Sequence, residues 1–166
     1  MKNKIALILF SLLFLIAQNA FASDKGNGIN FYTGMFDFSD EGKRSQLFGI
    51  EHQNENLFRD TVIGEISPVT GFMITGDNAM YMYSGFEANY SIGIINITPS
   101  FAPGYYNEGD GKDLGHALEF KSEVQLSLDL GEKTNFGMSY NHVSNASLGD
   151  KNPGANSYMF NFLKKF

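Results

Sequence analysis

Cysteine is absent from the 166 residues, and proline occurs only four times. The first absence excludes a disulfide framework and any cysteine-ligated zinc centre. Cationic side chains are also scarce: 12 Lys and Arg stand against 18 Asp and Glu, a net charge of −6. Nucleic-acid binding needs a basic face, so that class of partner is excluded. Long apolar runs are confined to the start of the chain. Ile5 to Ala17 reads IALILFSLLFLIA behind Lys2 and Lys4, and Ala20-Phe21-Ala22 is a small-x-small cleavage signal. The run is short for a bilayer span. Residues 1–22 are therefore expected to be a signal peptide, and residues 23–166 a single domain beginning at Ser23. Removing Lys2 and Lys4 with the leader takes the net charge from −6 to −8.

Aromatic residues and glycine are plentiful: 16 Phe, 8 Tyr and 18 Gly. That composition favours strands and tight turns. Alternation supports it. Phe136, Met138, Tyr140, His142 and Ser144 share one face, and Asn135, Gly137, Ser139, Asn141 and Val143 the other. From Leu114 to Leu128, Leu and Phe alternate in the same way with Glu, Lys, Gln and Ser. The chain offers too few other core-forming segments for every apolar face to find a partner. The fold class expected is therefore all-β: an eight-stranded antiparallel outer-membrane β-barrel, apolar outside and polar inside.

Eight segments fit, near residues 28–38, 44–54, 61–75, 79–90, 92–105, 113–129, 134–145 and 156–166. Pro99 and Pro103 in the fifth suggest a bulge or a kinked rim. The last strand ends on Phe166, resembling the assembly signal of bacterial outer-membrane barrels. An eight-stranded barrel is filled by its own side chains, so a pore is not expected. The interior set is read as Glu51, Glu65, Glu87, Glu119, Lys121 and Glu123. Glu108 to Asp113 lacks EF-hand ligand spacing and reads as a flexible outward loop. His52 and His116 read as rim residues.

His142 and Ser144 lie at the outer end of the seventh strand. Residues two apart on a strand point the same way, roughly 6.5–7 Å apart. Both should project toward lipid at headgroup depth. Register alone leaves two readings. One is a serine hydroxyl activated by a neighbouring base, addressing a membrane substrate. The other is a polar girdle at the strand rim.

Several motifs resemble the lipid A 3-O-deacylase family (PagL type) across the mature chain. They are Gly34-Met35-Phe36-Asp37, Thr98-Pro99-Ser100-Phe101, Asp113-Leu114-Gly115 and Leu118-Glu119-Phe120. The most specific is His142-x-Ser144-Asn145-Ala146 followed by Asn152-Pro153-Gly154. The resemblance implies a serine esterase that removes the acyl chain at position 3 of lipid A in the outer leaflet, without metal or cofactor. It implies Ser144 as nucleophile, His142 as general base and Asn152 in the oxyanion hole, with Asn145 shaping the site and Phe120 lining it. A homodimer stays open. Two positions depart from the family pattern. The acid that orients the histidine falls at Asn156, and a usual glycine, near a proposed backbone oxyanion donor, falls at Ser147. Asn156 can hold the imidazole tautomer but cannot offset its charge. Asp150, Glu108, Asp110 and Asp113 are candidate replacement acids, against the simpler reading of solvated loop charges. Asn156 also favours the alternative function, a catalytically inactive structural or surface-interaction barrel.

Overall fold

The computed structural model describes residues 26–166. The signal peptide expected over residues 1–22 lies outside them. Among the described residues there are ten strand segments: β1 (Asn27–Phe36), β2 (Ser45–Asn54), β3 (Arg59–Thr61), β4 (Gly64–Thr75), β5 (Met80–Ala88), β6 (Tyr90–Ile92), β7 (Ile95–Asn107), β8 (Leu118–Asp129), β9 (Thr134–Ser144) and β10 (Ala155–Lys165). Eight are long. The three-residue β3 and β6 follow β2 and β5, and a 3-10 turn at Glu55–Leu57 separates β2 from β3. The long strands pair antiparallel in sequence around the sheet, and β1 pairs with β10 to close it. A closed sheet has no free edge and pairs its backbone groups strand to strand, which is what crossing hydrocarbon demands.

The strand ends correct several expected boundaries. Thr61 belongs to β3, the chain turns at Val62-Ile63, and β4 begins only at Gly64. Ile92 stays with β6, so the fifth long strand starts at Ile95. The sixth starts at Leu118 rather than residue 113. Leu114, His116 and Leu118 alternate in sequence as a strand would, but Gly115 takes φ of 92°, which ends the strand pattern. Leu114 is consequently buried in the core and not on the lipid face. The Glu108–Asp113 stretch is tied down rather than loose. The Tyr106 hydroxyl donates to Lys112 O at 2.8 Å, and Asp110 N–H donates to Asp77 O at 2.8 Å.

The bulge expected at Pro99 and Pro103 is absent. One register holds on both sides, with Tyr83 opposite Gly104 and Phe86 opposite Phe101. Pairing of β7 with β5 instead lapses at Ala102-Pro103, where proline has no N–H to give, while β8 pairs through both prolines. Pro68 likewise sits between the β2 partner Val69 and the β3 partner Ile66, where β4 has no ladder to complete on that side.

Phe31, Phe48, Leu126, Phe136, Met138, Phe160 and Phe162 face outward and are exposed. Asn30, Glu51, Lys121, Glu123, Gln125, Asn141 and Asn161 face inward and are buried. The interior is plugged. The rings of Tyr32 and Tyr83 lie over Gly49 and Gly71 on the paired strands, where a Cβ would collide with them. The Lys121 ammonium sits 3.1 Å from Glu51, 3.0 Å from Glu123 and 4.0 Å from the Tyr83 ring centroid. Glu87 and Glu119 are also interior and buried. Glu65 is the exception: it is exposed, at a cavity of about 230 Å³ also lined by Glu55, Ser67, Asn89 and Lys165. That cavity lies at the short-turn end of the barrel. The longer loops, residues 37–44, 108–117 and 145–154, gather at the opposite end, the usual cell-surface end of such barrels.

Candidate functional site

β9 carries His142 and Ser144 to the loop end of the barrel. Asn141, Val143 and Asn145 point inward and are buried; His142 is exposed and Ser144 partly so. Both therefore continue the outward stripe of Phe136, Met138 and Tyr140. Cross-strand register builds a patch around them. Ser122, His142 and Asn156 stand opposite one another on β8, β9 and β10, and Phe120 stands opposite Ser144. Phe120 stacks on Phe101 at 6.0 Å, and Phe101 packs against Phe86 at 5.9 Å. An aromatic ridge thus leads away from Ser144 along the lipid face.

The imidazole is anchored by an amide. His142 Nδ1 lies 2.8 Å from Asn156 Oδ1, and the Tyr140 hydroxyl donates to that oxygen at 2.8 Å. Asn156 Nδ2 donates to Ser39 Oγ at 3.2 Å. An amide oxygen can only accept, so the neutral imidazole carries its proton on Nδ1 and leaves Nε2 as an acceptor. Gly154 borders the ring. A Cβ at Gly154 would lie 2.8 Å from His142 Cε1 and 3.3 Å from Nε2, and its φ of 62° disfavours any side chain.

The loop after β9 is folded by its own asparagines. Asn145, fully buried, donates from Nδ2 to Leu114 O at 2.7 Å and Lys151 O at 2.8 Å. Its backbone N–H donates to Asn152 Oδ1 at 3.0 Å, so the group Asn152 retains for other partners is its Nδ2. Leu148 N–H donates to Asn145 O at 3.0 Å across Ala146 and Ser147, whose φ values are 51° and 63°. Two successive left-handed residues make a type I′ turn, which accounts for the glycine expected at position 147. Ser147→Gly should relieve about 1 kcal/mol of this strain. The expected result is roughly fivefold slower amide exchange at Leu148, read by hydrogen–deuterium exchange.

None of the four candidate replacement acids is the partner of His142, whose Nδ1 is taken by Asn156. Asp113 pairs with Lys151 and accepts from Gly115 N–H at 2.7 Å. These contacts, Lys151 first, hold its carboxyl below the ordinary aspartate range, so the tie between the two loops persists at neutral pH and is lost only on acidification. Asp110 binds Asn78 at 3.1 Å, and Asp150 lies exposed in its loop. The acid that does approach is Asp37, quoted above only as part of a motif. Its Oδ1 lies 3.4 Å from the backbone N of Asn156. Continuing the β1–β10 register, in which Met35 faces Tyr158, sets Asp37 beside Asn156. Among the described residues, no group of three or more His, Asp or Glu side chains is arranged to hold a metal ion.

A closed eight-stranded barrel, apolar outside and polar inside, defines an outer-membrane β-barrel. The chain belongs to the lipid A 3-O-deacylase (PagL) family, whose model matches residues 26–165. The crystal structure of the outer membrane enzyme PagL superposes with a TM-score of 0.63 at 17% identity, covering 82% of this chain and 98% of that one. A de novo designed transmembrane β-barrel superposes at 0.55 with 6% identity, covering 87% and 98%. Neisserial surface protein A superposes at 0.54 with 8% identity, covering 85% and 96%. Comparison with curated proteins found no match.

Proposed function

We propose that the protein is an outer-membrane serine esterase that removes the ester-linked acyl chain at position 3 of lipid A. The observation that carries this reading is the 2.8 Å contact between His142 Nδ1 and Asn156 Oδ1 on the lipid face, two residues along β9 from Ser144. Ser144 Oγ attacks the ester carbonyl as Nε2 of His142 takes its proton. The tetrahedral oxyanion is held by backbone N–H groups near Ser147 and by Asn152 Nδ2. Collapse expels the sugar 3-oxygen, which takes the proton back from His142. Water then gives a proton to His142 as its oxygen adds to the acyl carbonyl; the bond to Ser144 Oγ breaks, the fatty acid leaves, and His142 returns the proton to Ser144 Oγ. The Phe86–Phe101–Phe120 ridge offers the departing acyl chain an apolar track.

The competing reading is a barrel that keeps the scaffold without the reaction, and the amide at position 156 favours it. Mass spectrometry of lipid A from cells expressing the protein separates the two. Loss of one hydroxyacyl chain supports the esterase. Unchanged lipid A, from a host whose lipid carries the 3-O ester and whose outer membrane holds the folded barrel, supports the scaffold.

Gly154 gives a sharper geometric test. Gly154→Ala forces a methyl group against the imidazole edge and should displace the ring by a few tenths of an ångström or more. Misplacement of a reacting group by about 1 Å can cost 10²-fold. Single-turnover deacylation in micelles should therefore slow by about 10- to 100-fold, with lipid A binding unchanged.

A further inference from the structure

We propose that Asp37 and Ser39 form a positioning relay that polarises the Asn156 amide and supplies, one step removed, what an orienting carboxylate would supply directly. The inference rests on the esterase reading for its catalytic consequence, though not for its geometry. The Asp37 carboxylate is buried, and its Oδ2 is bound by the Lys112 ammonium. Asp40 approaches the same ammonium at 3.5 Å. This pairing occupies Oδ2 and leaves Oδ1 to face the site. Ser39 Oγ lies 3.4 Å from that oxygen and accepts from Asn156 Nδ2 at 3.2 Å.

The four groups form a chain of single polarity. The imidazole donates to the amide oxygen, the amide nitrogen donates to the hydroxyl, and the hydroxyl donates to the carboxylate. Hydrogen bonds arranged head to tail polarise one another, so the amide oxygen carries more negative charge than an isolated amide would. Developing imidazolium charge is then met by a strengthened acceptor.

The surroundings hold the chain in this direction. The carboxylate sets it: the single Ser39 O–H goes to Asp37 Oδ1, so Ser39 Oγ meets Asn156 as an acceptor, and the amide turns Nδ2 to Ser39 and Oδ1 to His142 and Tyr140. Phe38 N–H donates to Asn156 O at 2.9 Å, which ties the loop after β1 to β10. The Phe38 ring packs on Tyr140 at 6.2 Å and on Tyr158 at 5.5 Å, beside the relay.

Ser39 is exposed, so replacing it should leave the barrel intact. The test uses the full refolded chain in detergent micelles, with lipid A as substrate. Ser39→Ala should lower kcat about tenfold with KM unchanged, and Ser39→Thr should restore it. Asp37→Asn should lower kcat by a similar factor, and combining it with Ser39→Ala should add nothing, as expected for links of one chain. The Nδ1 proton of His142, observed by NMR, should move upfield and exchange faster with water in Ser39→Ala. That readout requires no turnover, so an inactive parent protein would end the esterase reading without deciding the relay. An unmoved Nδ1 proton in Ser39→Ala would overturn the relay, as would an unchanged kcat in an active parent.

Discussion

Ser144→Ala should abolish acyl release from lipid A, with turnover falling by about 10⁴-fold or more and the barrel unchanged. In serine hydrolases, losing the nucleophile leaves only the residual acceleration from oxyanion donors and binding, which sets this scale. The substitution removes one oxygen from a partly exposed side chain at the end of β9. Its backbone partner Phe120 and the buried neighbours Val143 and Asn145 keep their places, so folding should be unaffected. The measurement is time-resolved release of the hydroxy fatty acid in micelles. The altered gel mobility of a folded barrel serves as the control for structure. Retained release in Ser144→Ala would assign the nucleophile elsewhere.

Asn156→Asp should raise turnover by about 10²-fold. The carboxylate keeps the shape of the amide and the 2.8 Å contact with His142 Nδ1, and it adds the negative charge that stabilises imidazolium. The reverse change in a Ser-His-Asp protease costs about 10⁴-fold. A smaller gain is expected here for two physical reasons. The relay already polarises the amide, and the Asp37 carboxylate lies close enough to Asn156 N, at 3.4 Å, to repel a second negative charge. Comparing kcat of Asn156→Asp with that of the parent is sufficient. A drop in kcat would mean that the amide nitrogen's bond to Ser39 outweighs the missing charge.

Much of the barrel was legible because lipid outside and polar side chains inside impose a two-residue period on every strand. The outward projection of His142 and Ser144 follows from that period and from Phe136, Met138 and Tyr140 beneath them. Where local alternation was accidental it misled, as at Leu114, which a glycine of positive φ returns to the core. Glu65 was misplaced for a related reason: parity says which face a residue takes, not how far along the barrel it lies. Asp37 and Ser39 were illegible as site residues. They lie 119 and 117 positions before Asn156 and reach it only because β1 closes the sheet against β10. Nothing local in Gly34-Met35-Phe36-Asp37 announces that neighbour.

The sideways aspect of the His142–Ser144 patch has a kinetic consequence. A glycolipid would reach it by gliding within the leaflet, never by diffusing through water. Reaction velocity should then follow the mole fraction of substrate in the membrane rather than its concentration in the tube. Spreading the same lipid A through inert phospholipid should slow the protein, whereas adding more vesicles of fixed composition should leave each molecule working at the same pace.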